Sequence, residues 1–387
     1  MTRFGRPGKR IAIVSAAAVA LVLIALLGTG WYYSSLLRSG ALTPDYSPDT
    51  LNLVVVSVDG DRIVLAEREG ESVDDLDDDE RWGLDAQSGY GQVGAVLEGG
   101  DGKVTRDFEL ITGSISPGDL ARLDSFAFEG DPLAARGLDF RSVAVPSPSG
   151  ELPAWKLDGD AGTWVVFVHG WRSDREEALR ILPTVSELGL SSLVMTYRND
   201  EEAPRSPDGL IRWGATEWQD LEAAVRYAES EGAESVILYG YSMGGGIAMR
   251  FLQQSEEARL VTGVVLDAPV LDFEALLSFQ AGRRHVPGFI VSIGKQFAGW
   301  RFDIDWEAMN HLDHVERVEV PILLFHGDDD GRAPLGTSER LANERPDIVT
   351  FHVVEGAGHV RSWNADPEVY EESVREFISM VAAVPVR

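Results

Sequence analysis

The chain has 387 residues, an apolar fraction of 44%, a formal net charge of −29 and no cysteine. This length predicts one large domain together with a smaller region. The strong negative charge argues against nucleic acid as a partner, because phosphate would be repelled. The absence of cysteine excludes disulfides, thiolate catalysis and cysteine-ligated metal sites.

The N-terminal segment predicts where the protein is located. An apolar run at 11–28 follows several basic residues and precedes aromatic residues at 31–33, where an interfacial aromatic belt would lie. The run is short for a bilayer span and long for a signal-peptide core, and no clear cleavage site follows it. We predict a cytoplasmic basic N-terminus at 1–10 and a transmembrane signal anchor at 11–30. The basic residues are Arg3, Arg6, Lys9 and Arg10.

This anchor predicts a single-pass protein of the cell membrane, which contacts the membrane through its N-terminal helix. Positive charge keeps the N-terminus in the cytoplasm and therefore places the rest of the chain on the extracytoplasmic side. Secretion after cleavage of a signal peptide is the alternative.

Residues 31–50, which include Pro44 and Pro48, are predicted to be a linker, and residues 51–136 a small β-rich region. Short β-prone runs, some separated by Asp-Gly or Gly-Gly turns, indicate the strands. An acidic run at 74–80 lies between them, and because it lacks the EF-hand spacing we predict a solvated loop. The residues of this region do not indicate its role. The predicted strands are 51–58, 62–66, 92–97 and 103–111.

Strands and helices alternate over residues 137–387, which we predict to be the main domain. The run at 163–168 is almost entirely apolar, as expected for a strand that is buried on both faces. The alternation predicts an α/β domain with a mostly parallel central sheet, helices on both faces and ligands at the C-terminal ends of the strands. The predicted strands are 140–145, 152–157, 163–168, 192–197, 235–238, 261–266, 321–325 and 349–353, and the predicted helices are 174–188, 216–228, 243–251 and 367–382.

One stretch of this domain combines a strand, a turn and a helix around a serine. Residues 236–238 are apolar and β-prone, a G-x-S-x-G sequence occupies 240–244, and helical spacing continues to Phe251. A serine on such a turn has a strained backbone conformation, and the flanking glycines make room for close packing. We predict that Ser242 is a nucleophile and that the N–H of Met243 donates to a developing oxyanion.

The loop after the strand at 163–168 is predicted to complete the oxyanion site. Its sequence is His169-Gly170-Trp171. Gly170 permits a turn that directs the N–H of Trp171 toward Ser242 as a second donor. We predict that His169 orients this turn and does not transfer a proton.

The loops after the last two predicted strands contain candidates for an acid and a base. Three consecutive aspartates at 328–330 compete as the carboxylate that would fix a histidine tautomer. His359, which small residues precede, follows the last strand and is predicted to be the general base. Asp267, at the end of another strand, is the alternative acid.

From about Phe140 to the C-terminus these motifs resemble the α/β-hydrolase superfamily, and they are most similar to serine-aminopeptidase-type and related membrane-anchored hydrolases. The resemblance implies the α/β-hydrolase fold. In the family pattern H-G-x-x-D-x-x-[VA]-P the acid is the fifth residue, which here is Asp330. The resemblance further implies that Ser242 attacks a carbonyl, that His359 takes and returns the proton, and that Asp330 orients the imidazolium. The motifs are His169-Gly170-Trp171, residues 240–245, His326-Gly327-x-x-Asp330 with Ala333-Pro334, and Gly358-His359.

Residues 272–318 are longer than a simple strand-to-helix connection, and we predict a lid-like insertion. Its aromatic side chains would either line an apolar substrate cleft or pack against the body of the domain. These aromatic residues are Phe273, Phe279, Phe289, Phe297, Trp300, Phe302 and Trp306.

The predicted function is that of a serine hydrolase that cleaves a carboxylic ester, thioester or amide of a small-molecule or peptide substrate through an acyl-enzyme on Ser242. This chemistry needs no metal or organic cofactor, and the sequence signals none. An aminopeptidase-like activity would need a carboxylate for the free amine, for which Glu201 and Glu202 are candidates. The alternative is a catalytically marginal, membrane-tethered binding or envelope-structural protein on a hydrolase scaffold. These motifs indicate neither the acyl length nor the oligomeric state.

Overall fold

The structure is a computed structural model that describes residues 7–47, 49–73, 75–100 and 102–382. Most of the predicted basic N-terminus lies outside these residues. A long helix, α1 (Pro7–Leu37), comes first and passes into a π-helical turn. Its residues 13–28 are exposed, and α1 is long and apolar enough to cross a membrane.

The structure differs from the predicted linker at 31–50 over the first part of that segment. Helix α1 continues to Leu37 and the π-helical turn extends to Leu42. Gly30 and Ser34 are buried against the insertion, and Leu42 is buried in the main core. These packing contacts stabilise helical structure beyond the end of the apolar run, which local sequence pattern does not reveal.

A small antiparallel barrel follows α1. Its six strands close in the order β1-β2-β5-β4-β3-β6, and alternate residues bury a separate apolar core inside it. The predicted β-rich region is thus a closed barrel, whose strands β3 and β6 the pattern did not predict. The strands are β1 (Leu53–Asp59), β2 (Arg62–Glu67), β3 (Trp82–Ala86), β4 (Gly89–Gly100), β5 (Lys103–Gly113) and β6 (Leu120–Asp124).

The main domain begins with a short helix and then alternates strands with helices, as predicted. The predicted helix at 174–188 is interrupted before Pro183, because Arg175–Arg180 forms a 3₁₀ helix. In chain order the elements are α2 (Pro132–Arg136), β7 (Arg141–Ser147), β8 (Gly150–Leu157), β9 (Thr163–Val168), α3 (Leu182–Glu187), β10 (Ser191–Met195), α4 (Trp218–Ser230), β11 (Ser235–Tyr241), α5 (Met243–Gln254), β12 (Val261–Asp267), α6 (Phe273–Arg283), α7 (Gly288–Phe302), β13 (Ile322–Gly327), α8 (Leu335–Glu344), β14 (Val349–Val354), α9 (Ser362–Ala365) and α10 (Pro367–Ala382).

The eight strands of this domain form one sheet in the order β14-β13-β12-β11-β9-β10-β8-β7. Six neighbouring strands, from β14 to β10, are parallel, whereas β8 and β7 pair antiparallel at one end. Two apolar cores cover the two faces of the sheet. The parallel strands therefore direct all their C-terminal loops to the same edge, where ligands bind in such sheets.

The predicted insertion at 272–318 contains two helices, α6 and α7, and two short 3₁₀ turns. An isolated bridge between Asp272 and Asn310 closes its base. Buried His311 lies 3.1 Å, through Nε2, from the carbonyl of Trp213 in the domain body. The insertion thus joins the domain at its base, while α7 packs along the end of α1.

The acidic run after β2 is not the solvated loop that its composition predicts. Arg361, beside the start of α9, is buried and lies 3.1 to 3.3 Å from the carboxylates of Asp75, Asp78 and Glu80. Its guanidinium also stacks 4.8 Å from the centre of the Trp82 ring in β3. The acidic loop therefore connects the barrel to the main domain, which requires an arginine that is distant in sequence. Asp74 lies outside the described residues.

We expect Arg361→Gln to destabilise the protein by about 3 kcal/mol, because it removes the partner of the buried carboxyl group of Glu80 and of the partly buried Asp78. Thermal unfolding of the full chain in detergent would measure this change. Arg375→Gln is the control, because Arg375 pairs with Glu187 and Glu372 on the surface, where ion pairs contribute little. Equal effects of the two substitutions would contradict the prediction.

The double variant Arg361→Gln with Glu80→Gln should be more stable than Arg361→Gln alone at pH 8. Burial raises the pKa of Glu80 to about 7, although Arg361 opposes the shift. The folded state thus favours the protonated form, and the stability from this group falls as the pH rises from about 4.5 through 7. A glutamine at position 80 cannot ionise, so the double variant avoids this loss of stability at high pH. Thermal unfolding at pH 5 and at pH 8 should therefore distinguish it from Arg361→Gln alone.

Candidate active site

The predicted elbow is present between β11 and α5. Ser242 has φ 48° and ψ −114°, which is the strained conformation expected at such a turn. A Cβ at Gly244 would lie 2.1 Å from the carbonyl oxygen of Val168 in β9, and one at Gly240 would lie 2.7 Å from the Cα of Gly245. Only glycine fits at these two positions, so the turn can bring the start of α5 against β9.

The structure brings together the three residues that were predicted as nucleophile, base and acid. The Oγ of Ser242 lies 2.8 Å from Nε2 of His359. The Nδ1 of His359 lies 2.8 Å from Oδ2 of Asp330. Ser242 follows β11, Asp330 follows β13 and His359 follows β14, so the three side chains meet at the C-terminal edge of the sheet.

Asp330 is held as a carboxylate by several donors. Its Oδ1 accepts the N–H groups of Arg332 and Ala333 at 2.7 and 2.8 Å. The Nε2 of buried His326 lies 3.1 Å from Oδ2, although it is not aligned as a hydrogen bond. Burial raises the pKa of Asp330, but His359 and His326 outweigh it and hold that pKa well below its usual value. Asp330 is therefore ionised and fixed in orientation.

The other aspartates that were considered as the acid have different partners. Asp328 accepts the N–H of Gly356 at 2.7 Å and so closes the turn that leads to His359. Asp329 is exposed. The carboxyl group of Asp267 accepts the hydroxyl of Ser362 at 2.8 Å, and burial raises its pKa to about 6. Of the acidic candidates, Asp330 is the one that is hydrogen-bonded to His359.

The two predicted oxyanion donors flank the serine. A Cβ at Gly170 would lie 3.1 Å from the Cβ of Ser242, so the loop after β9 is in direct contact with the elbow. Within the described residues, neither the N–H of Trp171 nor that of Met243 has a hydrogen-bond acceptor. Unpaired backbone N–H groups next to a serine can receive a developing negative charge.

Three side chains hold Gly170 in place, and only one of them was anticipated. The carboxylate of Glu177 accepts the N–H of Gly170 at 2.8 Å. The carbonyl of Gly170 accepts the hydroxyl of Tyr197 at 2.8 Å and Nδ1 of His169 at 2.9 Å. The peptide units around Gly170 are thus fixed from both sides, which orients the following N–H of Trp171.

His169 is held between two acceptors. Its Nδ1 faces the Gly170 carbonyl, its Nε2 lies 2.9 Å from Oδ2 of Asp200, and its ring stacks on Tyr197. Burial lowers the pKa of His169, but Asp200 and the Gly170 carbonyl outweigh this and raise it to about 9. Both ring nitrogens therefore donate, and the imidazolium orients the loop, in agreement with its predicted structural role.

Most polar side chains at 198–202, after β10, are bound by other residues of the domain. The guanidinium of Arg198 pairs with buried Asp220 at 2.6 Å, and the carboxylate of Asp200 accepts a hydrogen bond from Nε2 of His169. Glu202 pairs with Arg175 at 2.5 Å. This leaves Glu201 as the carboxylate of the segment that has no ion pair within the described residues.

Sequence reasoning did not identify Glu177 or Tyr197 as contributors to the site. It named His326 only within the family motif, and Asp200 only within a polar loop that either binds a charged substrate group or lies at the rim. Glu177 and His326 carry weak signals, since a buried glutamate in a 3₁₀ helix and a histidine inside a strand are unusual. Tyr197 and Asp200 follow β10 at the same sheet edge as the other loops. A search of polar residues after every parallel strand would have found these two.

An aromatic stack links the insertion to the oxyanion loop. Phe273 of α6 stacks between Trp213 and Trp306, with ring centres 4.6 and 6.0 Å apart. Trp213 in turn lies 5.7 Å from the ring of Trp171. At the other end of α6, Gln280 donates to the carbonyls of the two residues after Asp330, at 3.0 and 2.7 Å. The insertion therefore contacts the loops on both sides of Ser242.

The arrangement can support nucleophilic attack by a serine with proton transfer through an imidazole. Ser242 is only 7% exposed, so its hydroxyl lies in a recess and not on an open surface. Within the described residues, no group of three or more histidine, aspartate or glutamate side chains is arranged to hold a metal ion.

Comparison with known proteins identifies the family. The model of the "Alpha/beta hydrolase family" matches residues 165–372. The chain is 21% identical over 225 residues to the uncharacterized protein YqkD of Bacillus subtilis, covering 57% of this chain and 72% of that protein. It is 24% identical to the non-heme chloroperoxidase CPO-A1 of Kitasatospora aureofaciens, covering 57% of this chain and 94% of that protein.

A solved structure shares the same fold. The esterase Pf2001 of Pyrococcus furiosus superposes with a TM-score of 0.53 at 20% identity, covering 64% of this chain and 93% of the esterase. The matched family region includes the elbow, the loop of Asp330 and the loop of His359. The chain thus belongs to the alpha/beta hydrolase family.

Proposed function

We propose that this protein is a serine hydrolase that cleaves a carboxylic ester through an acyl-enzyme on Ser242. The observation that carries the proposal is the unbroken hydrogen-bonded line from Ser242 through His359 to Asp330, with both links at 2.8 Å. Such a line is the arrangement that activates a serine for acyl transfer.

In the proposed reaction, Oγ of Ser242 attacks the ester carbonyl while Nε2 of His359 takes the hydroxyl proton. The N–H groups of Trp171 and Met243 receive the charge that develops on the carbonyl oxygen. The ester C–O bond then breaks, His359 gives the proton to the departing alkoxide, and the acyl group stays on Ser242. His359 next activates a water molecule, which hydrolyses the acyl-enzyme and releases the acid. Asp330 keeps Nδ1 of His359 protonated and stabilises the imidazolium.

Cleavage of an aminoacyl amide would depend on one remaining carboxylate. A free amine would need an available carboxylate near the site. Asp200 and Glu202 already pair with His169 and Arg175, which leaves Glu201 as the candidate, while the side beside Trp171 is aromatic. Thioester and amide cleavage use the same acyl-enzyme, and the relation to serine aminopeptidases remains a prediction.

We further propose that α1 anchors the enzyme in the cell membrane, with the catalytic domain on the extracytoplasmic side. The exposed, apolar side chains at 13–28 support this role, because none of the residues that the structure describes covers them. The basic residues before α1 favour a cytoplasmic N-terminus. Membrane proteomics with protease protection of intact cells would test the orientation.

A fluorophosphonate should label the full chain in detergent at Ser242, and Ser242→Ala should abolish both the label and ester turnover. We expect turnover to fall by about 10⁴-fold or more, because the three residues act as a unit. Mass mapping of the labelled peptide identifies the site. Ser278→Ala, on the exposed face of α6, is the control.

Labelling that persists in Ser242→Ala would contradict the assignment of the nucleophile. A folded protein that is not labelled at all would favour the alternative, a tethered binding protein on a hydrolase scaffold.

Asp330→Asn should lower kcat for a short ester by about 10⁴-fold, because an amide cannot hold His359 in the productive tautomer. Asp328→Asn is the matched control, since an amide oxygen can still accept the N–H of Gly356, and its kcat should change by less than about tenfold. Steady-state hydrolysis of p-nitrophenyl acetate measures both values. The reverse ranking would assign the acid to Asp328.

The activity should decrease as the pH rises through about 9, because a neutral His169 has one N–H left and can no longer donate to both the Gly170 carbonyl and Asp200. The nearby ionisable groups are Asp200, Glu177 and Tyr197, and burial raises the pKa of Tyr197 far above this range. In Asp200→Asn the decrease should move to lower pH, because burial then lowers the pKa of His169 with less opposition.

The pH profile of kcat for p-nitrophenyl acetate measures this shift. Asp208→Asn, which removes a carboxylate that pairs with Arg212, should leave the profile unchanged. An alkaline decrease at the same pH in Asp200→Asn would show that His169 is not its cause.

A further inference from the structure

Helix α7 lies along the last turns of the anchor helix. The ring of Phe297 packs so closely on Gly30 that no Cβ would fit there. Four residues further along α7, Arg301 donates to the hydroxyl of Ser34 at 2.6 Å. These two contacts, and the approach of Arg38 to within 5.6 Å of the centre of the Phe302 ring, advance in the same direction along both helices, although Gly294 also approaches Tyr33. The start of α7 at Gly288 therefore lies on the side of the apolar segment of α1.

The outer surface of α7 exposes an aromatic side chain near each end, Phe289 and Trp300, with exposed Ser292 and Gln296 between them. Phe289 is 67% exposed and Trp300 is 77% exposed, and outside α1 these are the two most exposed large apolar side chains in the described residues. Trp31 and Tyr32 at the end of α1 are also exposed, and the guanidinium of Arg301 lies 3.7 Å from the centre of the Trp31 ring. Trp300, Trp31 and Tyr32 thus place aromatic side chains on two adjacent helices, as in an interfacial belt, while Phe289 lies about 16 Å further along α7.

The same segment reverses the charge of the protein. Residues 273–302 contain four lysines or arginines and one acidic residue, Glu274, whereas the whole chain has a net charge of −29. Lys295 pairs with Glu274, while Arg283 at the end of α6 and Arg284 directly after it are exposed and form no ion pair within the described residues. Basic side chains favour contact of this aromatic segment with anionic lipid in an otherwise acidic protein.

We propose that the hairpin of α6 and α7, residues 273–302, docks on an anionic lipid bilayer beside the anchor helix and delivers acyl esters of membrane amphiphiles to Ser242. The inference rests on the proposed serine hydrolase function and on α1 spanning the bilayer. Apolar side chains that enter the interface and basic side chains that meet lipid phosphates are the two parts of such a surface.

The hairpin is also connected to the catalytic loops. Gln280 of α6 donates to the carbonyl of Arg332 at 2.7 Å, two residues after Asp330. Trp213, which stacks on the first residue of α6, donates through Nε1 to the carbonyl of Ala41, directly after the anchor helix, at 3.0 Å. The site, the hairpin and the end of α1 are therefore neighbours, so docking of the hairpin would bring the recess of Ser242 close to the bilayer.

Because the chain has no cysteine, a single cysteine can carry a polarity-sensitive nitrobenzoxadiazole probe. The probe would be placed at Phe289→Cys in the full chain, reconstituted in vesicles of phosphatidylcholine alone or mixed with phosphatidylglycerol. Val369→Cys, exposed on α10, is the control for an apolar position away from the hairpin. Leu23→Cys in α1 is the control for membrane insertion. Aqueous iodide and doxyl-labelled lipid serve as quenchers.

We expect doxyl lipid to quench the probes at 23 and 289 but not at 369. Protection of position 289 from iodide should be at least about threefold greater in vesicles that contain phosphatidylglycerol. Arg284→Gln should reduce this difference.

Iodide quenching at 289 that equals quenching at 369 in both vesicles would overturn the proposal. So would protection that depends on protein density and accompanies crosslinking between chains, because the occupant would then be a second copy. An unquenched probe at 23 would overturn it as well, since α1 would not be in the bilayer.

Activity separates this inference from the proposed function. Phe289→Ser combined with Trp300→Ser should lower kcat/KM for a monoacylglycerol in vesicles by about tenfold, while p-nitrophenyl acetate turnover stays within about twofold. Equal losses on both substrates, or no loss on either, would overturn the docking role while fluorophosphonate labelling of Ser242 still supports the hydrolase. A wild-type protein that is not labelled by the fluorophosphonate would refute the proposed hydrolase function, whereas the probe at position 289 would still report contact with the bilayer.

Discussion

The close approach of α5 to β9 is the constraint on which the site depends. Gly244 lies so near the Val168 carbonyl that no side chain fits between them, and this contact is possible only because Ser242 adopts a positive φ. Since β9 and β11 are parallel neighbours, the same contact brings Gly170 against Ser242. Ser242 and the loop that carries the Trp171 N–H are therefore brought together by one packing contact.

The histidine side of the site is fixed from a different part of the chain. Asp328 closes the turn before His359, and Arg361, two residues after it, is buried against the acidic loop of the barrel. Arg361 also packs on Gly358, where a Cβ would collide with its guanidinium. The barrel thus contributes to the position of His359 without supplying a catalytic group.

Sequence patterns predicted the features that depend on local backbone structure and on the order of the strands. The apolar strands, the glycines at 240 and 244 and the order of Ser242, Asp330 and His359 follow from backbone geometry and from the parallel sheet. The patterns could not predict contacts made by residues distant in sequence. The burial of the acidic loop depends on Arg361, and the continuation of α1 to Leu37 depends on α7. Local composition carries no information about such partners.

The distribution of charge bears on how the main domain would lie relative to the proposed membrane. A protein with a net charge of −29 is repelled by anionic lipid, so an anchor helix alone would leave the catalytic domain free to move away from the surface. The basic hairpin lies beside the end of that anchor and contacts the loops around Ser242. If the hairpin meets the bilayer, the orientation of the domain is set by the same segment that covers its site. Access to the site then depends on the membrane surface, and the effective concentration of a lipid ester at Ser242 rises without any additional binding group in the recess.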